Sequence, residues 1–184
     1  EAGREIGESM STFLDQPGIP LVSAELLPGH QVRLSQQRYL RHGVRAPAAY
    51  WEIPVVLEYP DGDSLRTRQL LLSQPTQVCT LATSAQPAWV HPNAGETGYY
   101  RWQVPAPMLV YLAGHAQVLL SARERVGLID QLAALLEGGQ LDARTYLQAL
   151  EGFAGDPQPE VLLALVGALA ITWENFAAEA AALE

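Results

Sequence analysis

Histidines, cysteines and carboxylates are the side chains that could perform chemistry here, and in this 184-residue sequence none of them forms a familiar catalytic spacing. A zinc peptidase with the motif H-E-x-x-H places two imidazoles on one helix face and a glutamate beside the metal-bound water. That motif is absent from the sequence. No two of the four histidines stand at metal-ligand spacing on one predicted helix: His30, His42, His91 and His115. They could still converge in the folded chain, but we interpret them as isolated surface or core residues.

Signatures of other catalysts are missing as well. The sequence has no G-x-S-x-G nucleophile motif and no glycine-rich phosphate loop. Cys79 is the single cysteine, which excludes an internal disulfide and a thiolate metal cluster, and we interpret it as a buried structural thiol. We interpret two pairs of carboxylates as solvated surface groups: Asp61 with Asp63, and Glu174 with Glu179. We interpret two groups of aromatic residues as core packing: Tyr99 with Tyr100 and Trp102, and Trp173 with Phe176. We therefore predict no catalytic, cofactor-binding or metal-binding residue.

Composition narrows the class of protein. Hydrophobic residues make up 48% of the chain, which is enough for a core, and 20 acidic against 11 basic residues give a net charge of −9. This charge argues against nucleic acid or an anionic membrane surface as a partner. No apolar run reaches the 18 residues of a membrane span. A lone cysteine slightly favours a reducing compartment such as the cytoplasm.

Short strands are predicted from about residue 18 to residue 105. Apolar and polar residues alternate on both sides of Pro28-Gly29, which predicts a hairpin. The clearest strand runs from Trp51 to Tyr59, and Pro54, which lacks an amide donor, places it at an edge or a bulge. Further strands are predicted at 64–72, 77–81, 88–90 and 99–104, with a loop at 42–49. Six or seven such strands indicate an antiparallel β-sandwich.

Helical spacing follows the strands and also precedes them. A helix is predicted at 5–15 and another at 108–120, bent near Gly114. A capping box of Ser121 and Glu124 begins the next helix, and Gly138-Gly139 ends it. Asp142 caps the following helix, and Asp156-Pro157 opens the last. The apolar residues at helical spacing are Ile6, Met10, Phe13 and Leu14; Val126, Leu128, Ile129, Leu132, Leu135 and Leu136; Tyr146, Leu147 and Leu150; and Leu162, Val166, Leu169, Trp173 and Phe176. The short connections indicate helical hairpins stacked into a solenoid.

Three stretches resemble one family. The first comprises M-S-T-F at 10–13, Q-P-G-I-P-L-V at 16–22, V-R-L-S-Q-Q-R-Y at 32–39 and W-E-I-P-V at 51–55. It resembles the junction where aminopeptidase N-like zinc aminopeptidases (gluzincins) leave their catalytic domain. In that family an aromatic residue precedes Q-x-G-x-P-x-V, L-x-Q-x-R-F/Y and W-x-I-P-L. Phe13 stands where tryptophan is frequent.

The other two stretches follow in the family's order. Residues 89–101, W-V-H-P-N-A-G-E-T-G-Y-Y-R, are similar to the family's W-x-x-x-N-x-x-x-x-G-Y-Y-R-V and are the most specific of the three. Residues 120–130, with G-Q-L at 139–141, resemble the L-S-x-x-D-R-x-x-L-I-x-D and A-G-x-L opening of the helical domain. Two departures are Q-V-P at 103–105, where N-Y-D/S is usual, and Glu124, where aspartate is typical.

The resemblance implies three segments: 1–17, the end of a catalytic-domain helix and a linker; 18–105, a β-sandwich domain; and 106–184, the truncated start of a C-terminal α-helical superhelix. It implies a parent that removes N-terminal residues from peptides with one zinc ion. In such a mechanism the metal and a glutamate activate water, and another carboxylate holds the free amine. None of those residues lies in this chain, so it would be an inert spacer and chamber wall. Its partners would be the catalytic domain of the same polypeptide and the parent's peptide substrates.

Two other hypotheses remain open. One is a stand-alone interaction module, in which a β-sandwich carries a helical tail, and the other is an inactive homologue that serves as a scaffold. For the leading hypothesis, a segment of a superhelix, we expect an exposed apolar helix face near residues 162–176 and self-association through it.

Overall fold

Strands form the first part of the chain and helices the second. This computed structural model describes residues 11–181, with side chains up to residue 174. The predicted order of strands followed by helices is confirmed. The chain divides into two compact units, with the division between Met108 and Leu109.

Six strands form two sheets in the described part of the first unit. The strands are β1 (Pro20–Leu27), β2 (Gln31–Arg38), β3 (Ile53–Asp61), β4 (Ser64–Leu72), β5 (Thr76–Thr80) and β6 (Arg101–Gln103). One sheet has the order β5-β2-β1-β6, and the other pairs β3 with β4. The predicted β1–β2 hairpin is confirmed, and its turn holds Gly29 at φ 77° and His30 at φ 60°. The predicted loop at 42–49 is also free of regular structure.

The antiparallel prediction is wrong for β6, which pairs in parallel with β1. Parallel neighbours cannot be joined by a tight turn, and the connection from β1 to β6 is residues 28–100, which contain β2 to β5. The strand predicted at 99–104 shrinks to Arg101–Gln103. The segment predicted as a strand at 88–90 is irregular. It lies between Pro87 and Pro92, which cannot donate to a ladder and so limit the length of any strand there.

The alternation predicted from Trp51 to Tyr59 is confirmed, since the five residues of its apolar face are buried: Trp51, Ile53, Val55, Leu57 and Tyr59. On the side of β3 away from β4, Glu58 donates its amide to the carbonyl of His91 at 2.9 Å. Every second residue of a strand points its backbone nitrogen to the same side, so the nitrogen of Pro54, like that of Glu58, faces away from β4. Its missing donor therefore removes no hydrogen bond from the β3–β4 ladder.

Five helices follow: α1 (Ala106–Gly114), α2 (Ala116–Leu119), α3 (Ala122–Glu137), α4 (Ala143–Glu151) and α5 (Pro159–Ala181). The break near Gly114 is confirmed. So is the capping box of α3, in which Ser121 and Glu124 exchange hydrogen bonds. The carboxylate of Asp142 caps α4 by accepting from the amide of Thr145 at 3.0 Å. Gly139, at φ 70°, ends α3 in the left-handed conformation that favours glycine.

Two of the predicted inward faces need correction. Leu147 is exposed, and the inward face of α4 is formed by Tyr146, Ala149 and Leu150. On α5 the buried stripe is Val161, Leu165, Ala168 and Thr172. The predicted apolar series Leu162, Val166, Leu169 and Trp173 is exposed, and Phe176 lies outside the described side chains. Helix α5 packs against α3, and two residues of its buried stripe, Ala168 and Thr172, hydrogen-bond with Tyr146 of α4. The apolar series beside this stripe is exposed in the described part of the chain.

Only part of the predicted N-terminal helix can be compared with the structure. Residues 11–14 are helical, whereas Ile6 and Met10 lie outside the described residues. Leu14 is exposed, so it does not contribute to a buried face. Within residues 11–181, no helix combines the length and apolarity needed to cross a membrane.

Candidate functional site

The motif at residues 89–101 folds into a loop that the side chain of Asn93 closes. Its amide oxygen accepts from the backbone N–H of Gly98 at 2.8 Å, and its amide nitrogen donates to the carbonyl of Gly98 at 3.3 Å. The same nitrogen donates to Oε2 of Glu96 at 3.1 Å. A carboxamide suits this pairing because it offers a donor and an acceptor side by side at any pH near neutral. Asn93 therefore holds the loop across five residues.

Gly98 and Tyr100 complete this loop. A Cβ atom at Gly98 would overlap the ring of Tyr100, so the close approach requires glycine. The hydroxyl of Tyr100 donates to the carbonyl of Pro92 at 2.6 Å, and burial raises the pKa of this phenol well above its usual range. The motif residues thus form a closed, packed structure in which the tyrosine stays protonated.

The histidines lie in different settings. His91 is fully buried, with its ring edge-on to Trp102 at 5.0 Å between centroids and its Nε2 atom 3.6 Å from Oε1 of Glu96. His30 lies in the β1–β2 turn, and His42 is exposed in a loop. His115 is exposed, follows α1 and stacks on Tyr111. The most enclosed of the four is thus His91, within the Asn93 loop.

Gln36 is a buried polar link that sequence reasoning missed. Its side-chain oxygen accepts from the amide of Trp51 at 2.8 Å, and its nitrogen donates to the carbonyls of Trp51 at 2.9 Å and Gln74 at 3.1 Å. It joins β2 to the segments that precede β3 and follow β4. The sequence did indicate this buried polar residue, because Gln36 occupies the next inward-facing position of the strand after Val32 and Leu34.

Arg125, from the third motif, forms a buried ion pair with Asp156 in the helical unit. The Nε atom of Arg125 is 2.7 Å from Oδ2, and the Nη2 atom donates to Oδ1 at 3.2 Å. The Nη1 atom donates to the carbonyl of Leu120 at 2.7 Å, and Oδ1 of Asp156 also accepts from the amide of Gln158 at 3.0 Å. The pair ties the start of α3 to the turn that opens α5. The sequence predicted that Asp156 lies at the start of the last helix, but it did not identify Arg125 as its partner.

Asp61 is not a solvated carboxylate, contrary to the sequence interpretation. Its Oδ1 atom accepts from the Thr83 hydroxyl at 3.0 Å and from the Ser84 amide at 2.8 Å and hydroxyl at 2.9 Å. Its Oδ2 atom is 2.6 Å from Nε of Arg66. These hydrogen bonds, led by the Ser84 amide, hold the pKa of Asp61 far below its usual value. Asp61 therefore fastens residues 83–84 to the β3–β4 hairpin.

The remaining candidate residues divide into buried and exposed. Cys79 is buried, and desolvation raises the pKa of its thiol. Tyr100 and Trp102 fill the core as predicted, but Tyr99 is exposed and touches Phe13 edge-on at 6.4 Å. Trp173 and Glu174 are also exposed, so the packing interpretation of Trp173 is wrong within the described chain. The side chains of Phe176 and Glu179 lie beyond the described ones.

Comparison with known protein families identifies these motifs. The model of the ERAP1-like C-terminal domain matches residues 89–183, which begin at Trp89 and include both the Asn93 loop and the Arg125–Asp156 pair. The chain belongs to this family. The resemblance to the C-terminal region of aminopeptidase N-like enzymes is thereby confirmed.

Individual relatives agree with this assignment. The chain is 26% identical over 162 residues to the puromycin-sensitive aminopeptidase of Caenorhabditis elegans, and this match covers 85% of the chain. It is 30% identical over 161 residues to endoplasmic reticulum aminopeptidase 2 of Bos taurus, covering 78% of the chain. It is 24% identical over 155 residues to the tricorn protease-interacting factor F2 of Thermoplasma acidophilum, covering 84%. These matches span 17%, 16% and 18% of the three relatives.

Proposed function

We propose that this chain is the non-catalytic β-sandwich and helical segment of a zinc-dependent aminopeptidase that removes N-terminal residues from peptides. The observation that supports the proposal is that the residues of the family motifs make hydrogen bonds and ion pairs within the chain. Asn93 and Gly98 close a buried loop, Gln36 binds backbone groups, and Arg125 pairs with Asp156 inside the helical unit. All these residues hold chain segments together, as a supporting segment requires.

The proposed roles follow the two units. The strands, within the proposed domain of residues 18–105, would act as a spacer with the two sheets as layers of a sandwich. The helices from residue 106 would begin a superhelix that walls the peptide chamber. Residues 1–17 would come from the preceding catalytic domain, which would be the main partner. We place the zinc in that domain, because this sequence lacks the H-E-x-x-H motif.

Zinc content and hydrolysis by the purified 184-residue chain test the inert role. We expect no stoichiometric zinc by metal analysis after dialysis against trace zinc. We also expect no hydrolysis of a panel of amino-acid anilides. Tight one-to-one zinc binding, or anilide hydrolysis that survives repurification, would overturn the proposal.

The coding sequence upstream of the chain tests its enzymatic setting. We expect it to encode H-E-x-x-H followed by a downstream glutamate, and we expect the complete gene product to release N-terminal residues in a chelator-sensitive way. An upstream domain with broken zinc ligands would favour the inactive scaffold instead. A start codon next to residue 1 would favour the stand-alone interaction module.

A further inference from the structure

Arg38, the last residue of β2, is a half-buried arginine that makes no hydrogen bond or ion pair within the described part of the chain. It follows Val32, Leu34 and Gln36 in the inward-facing series of the strand. Its Nε atom is shielded from solvent and has no hydrogen-bond partner. Arginine is rarely buried without a partner, because its charge loses solvation. The guanidinium of Arg38 therefore has donors available for a group beyond the described residues.

Other arginines of the chain that are withdrawn from solvent show what such a side chain requires. Arg68 is half-buried and donates to the carbonyl of Thr80 at 2.6 Å. Arg125 is buried and pairs with Asp156. Arg38 differs from both of them, because it is partly buried and still lacks an acceptor among residues 11–174.

A glycine fixes the position of the Arg38 side chain. Gly18 has a φ of 108°, a conformation that favours glycine. A Cβ atom at Gly18 would lie only 3.2 Å from Nε and 3.4 Å from Cδ of Arg38. Beside this contact, the amide of Tyr39 donates to the carbonyl of Ile19 at 2.8 Å. The arginine thus lies close against the backbone that leads into β1, and its guanidinium occupies a defined place.

The sequence around Arg38 is basic, although the whole chain has a net charge of −9. No aspartate or glutamate occurs between Glu25 and Glu52, and residues 41–48 of this stretch are exposed and free of helix and strand. The stretch contains four arginines: Arg33, Arg38, Arg41 and Arg45. Positive potential attracts a negatively charged partner, and a guanidinium binds a carboxylate through two parallel hydrogen bonds. The chemistry of the site therefore selects a carboxylate.

The corner of the fold that holds Arg38 is also where the polypeptide enters the strands. The hydroxyl of Thr12 accepts from the amide of Glu52 at 3.2 Å. The side-chain nitrogen of Gln16 donates to the carbonyl of Tyr50 at 2.7 Å. These contacts fix the segment that leads into β1. The polypeptide before this segment must therefore approach the strands at the same corner as Arg38.

We infer that Arg38 is a docking residue that pairs with a carboxylate of the preceding catalytic domain and fixes that domain against the strands. The inference rests on the proposed function, in which such a domain precedes the chain, and it names the contact between the two. A side-on pairing through Nε and one Nη nitrogen would satisfy the buried donor. Arg41 and Arg45 would strengthen the attraction without a fixed geometry.

Carbodiimide coupling tests this contact, and it is specific because the 184-residue sequence contains no lysine. The reagent joins an amine to a carboxylate in contact with it, forming an amide with loss of water. In the complete gene product with Arg38→Lys, we expect mass spectrometry to find the introduced amine coupled to an aspartate or glutamate upstream of residue 1. The same variant of the 184-residue chain should show no coupling at this position.

Arg33→Lys is the matched control. Arg33 lies in the same strand, but it is exposed and pairs with Glu25 at 2.7 Å. Its introduced amine should therefore couple to Glu25 in both proteins, which shows that the reaction works at a known ion pair. Circular dichroism should show that both variants stay folded.

Hydrogen exchange at the Tyr39 amide gives a second measurement that needs no lysine. In the complete gene product, Arg38→Met should speed this exchange at least about tenfold, because the opening of the corner no longer breaks a charge-assisted hydrogen bond. The same substitution should leave the rate unchanged in the 184-residue chain, where the partner is absent. Arg33→Met should leave the rate unchanged in both proteins.

Three results would overturn the inference. The first is coupling of the Arg38→Lys amine to a carboxylate of residues 1–184 or to a second molecule. The second is no coupling at this position while Arg33→Lys couples to Glu25. The third is a Tyr39 exchange rate that Arg38→Met leaves unchanged in the complete gene product.

The fate of the proposed function can be told apart from that of the docking contact. If any of these three results appears while the complete gene product releases N-terminal residues, the docking role of Arg38 fails and the proposed function stands. If an upstream domain with broken zinc ligands still couples to the Arg38→Lys amine, the docking role stands and the proposed catalysis fails.

Discussion

At the scale of single residues, the polar groups of the family motifs act as internal links. Asn93, Gln36 and Arg125 are all buried, and the side chain of each hydrogen-bonds to backbone groups. Burying such groups is unfavourable unless their hydrogen bonds are satisfied, so each link depends strongly on its geometry. Changes at these positions should therefore act on stability.

The Arg125–Asp156 pair gives the sharpest prediction of this kind. Arg125→Met should lower the free energy of unfolding by about 3–5 kcal/mol, because Asp156 remains buried without its counter-charge. Urea unfolding followed by circular dichroism measures the loss. The double variant Arg125→Met/Asp156→Asn should be less destabilised than the sum of the two single variants.

Arg33→Met is the control for this experiment, since Arg33 pairs with Glu25 on the surface and both side chains are about half exposed. Exposed pairs contribute about 0–1 kcal/mol, so the change should be small. Equal losses for Arg33→Met and Arg125→Met would contradict the assigned role of the buried pair.

Asp61 predicts a pH dependence. Its folded pKa lies well below the ordinary value of 3.8, so its contribution to stability is complete above that pH and declines as the pH falls from there towards the folded pKa. Wild type should therefore be more stable than Asp61→Asn at neutral pH, and the difference should shrink as the pH drops below about 4. Thermal unfolding at a series of pH values measures this. Asp63→Asn, in the same turn, is the control; a constant difference for Asp61→Asn at every pH would contradict the prediction.

At the scale of elements, the helix ends were the most predictable features. The capping box of Ser121 and Glu124, the Asp142 cap and the end of α3 at Gly139 all depend on residues within about four positions of each other. The β1–β2 hairpin is local in the same sense. The parallel pairing of β6 is not, because it joins residues about 80 positions apart.

Gly152 supports a prediction about how two helices approach. It follows α4, and a Cβ atom there would overlap the carbonyl of Ala113 in α1. Gly152→Ala should therefore destabilise the chain by about 1–3 kcal/mol in urea unfolding. Gly155→Ala is the matched control, because open space surrounds that position, and it should change stability by no more than about 0.5 kcal/mol. Similar losses for both variants would contradict the close approach.

At the scale of the whole molecule, the net charge of −9 should govern the strength of self-association. Two like-charged chains repel each other, and salt screens this repulsion over about 10 Å at 0.1 M. Self-association through the exposed apolar residues of α5, namely Leu162, Val166, Leu169 and Trp173, should therefore become stronger as the sodium chloride concentration rises. Sedimentation at low and high salt measures the change. A dimer that dissociates with salt would indicate an interface held by charged groups instead.

The sequence determined the order of strands and helices, the hairpin, the alternation of Trp51 to Tyr59 and the helix caps, because each depends on spacing between near neighbours. Its motifs also identified the family. Only the tertiary structure showed that Arg125 pairs with Asp156, that Gln36 binds Trp51, and that β6 lies parallel to β1. The structure also decided which apolar stripe of α5 is covered. Both stripes have helical spacing, so periodicity alone predicts either of them as the buried face. Which one is buried depends on contacts with α3, which is distant in sequence.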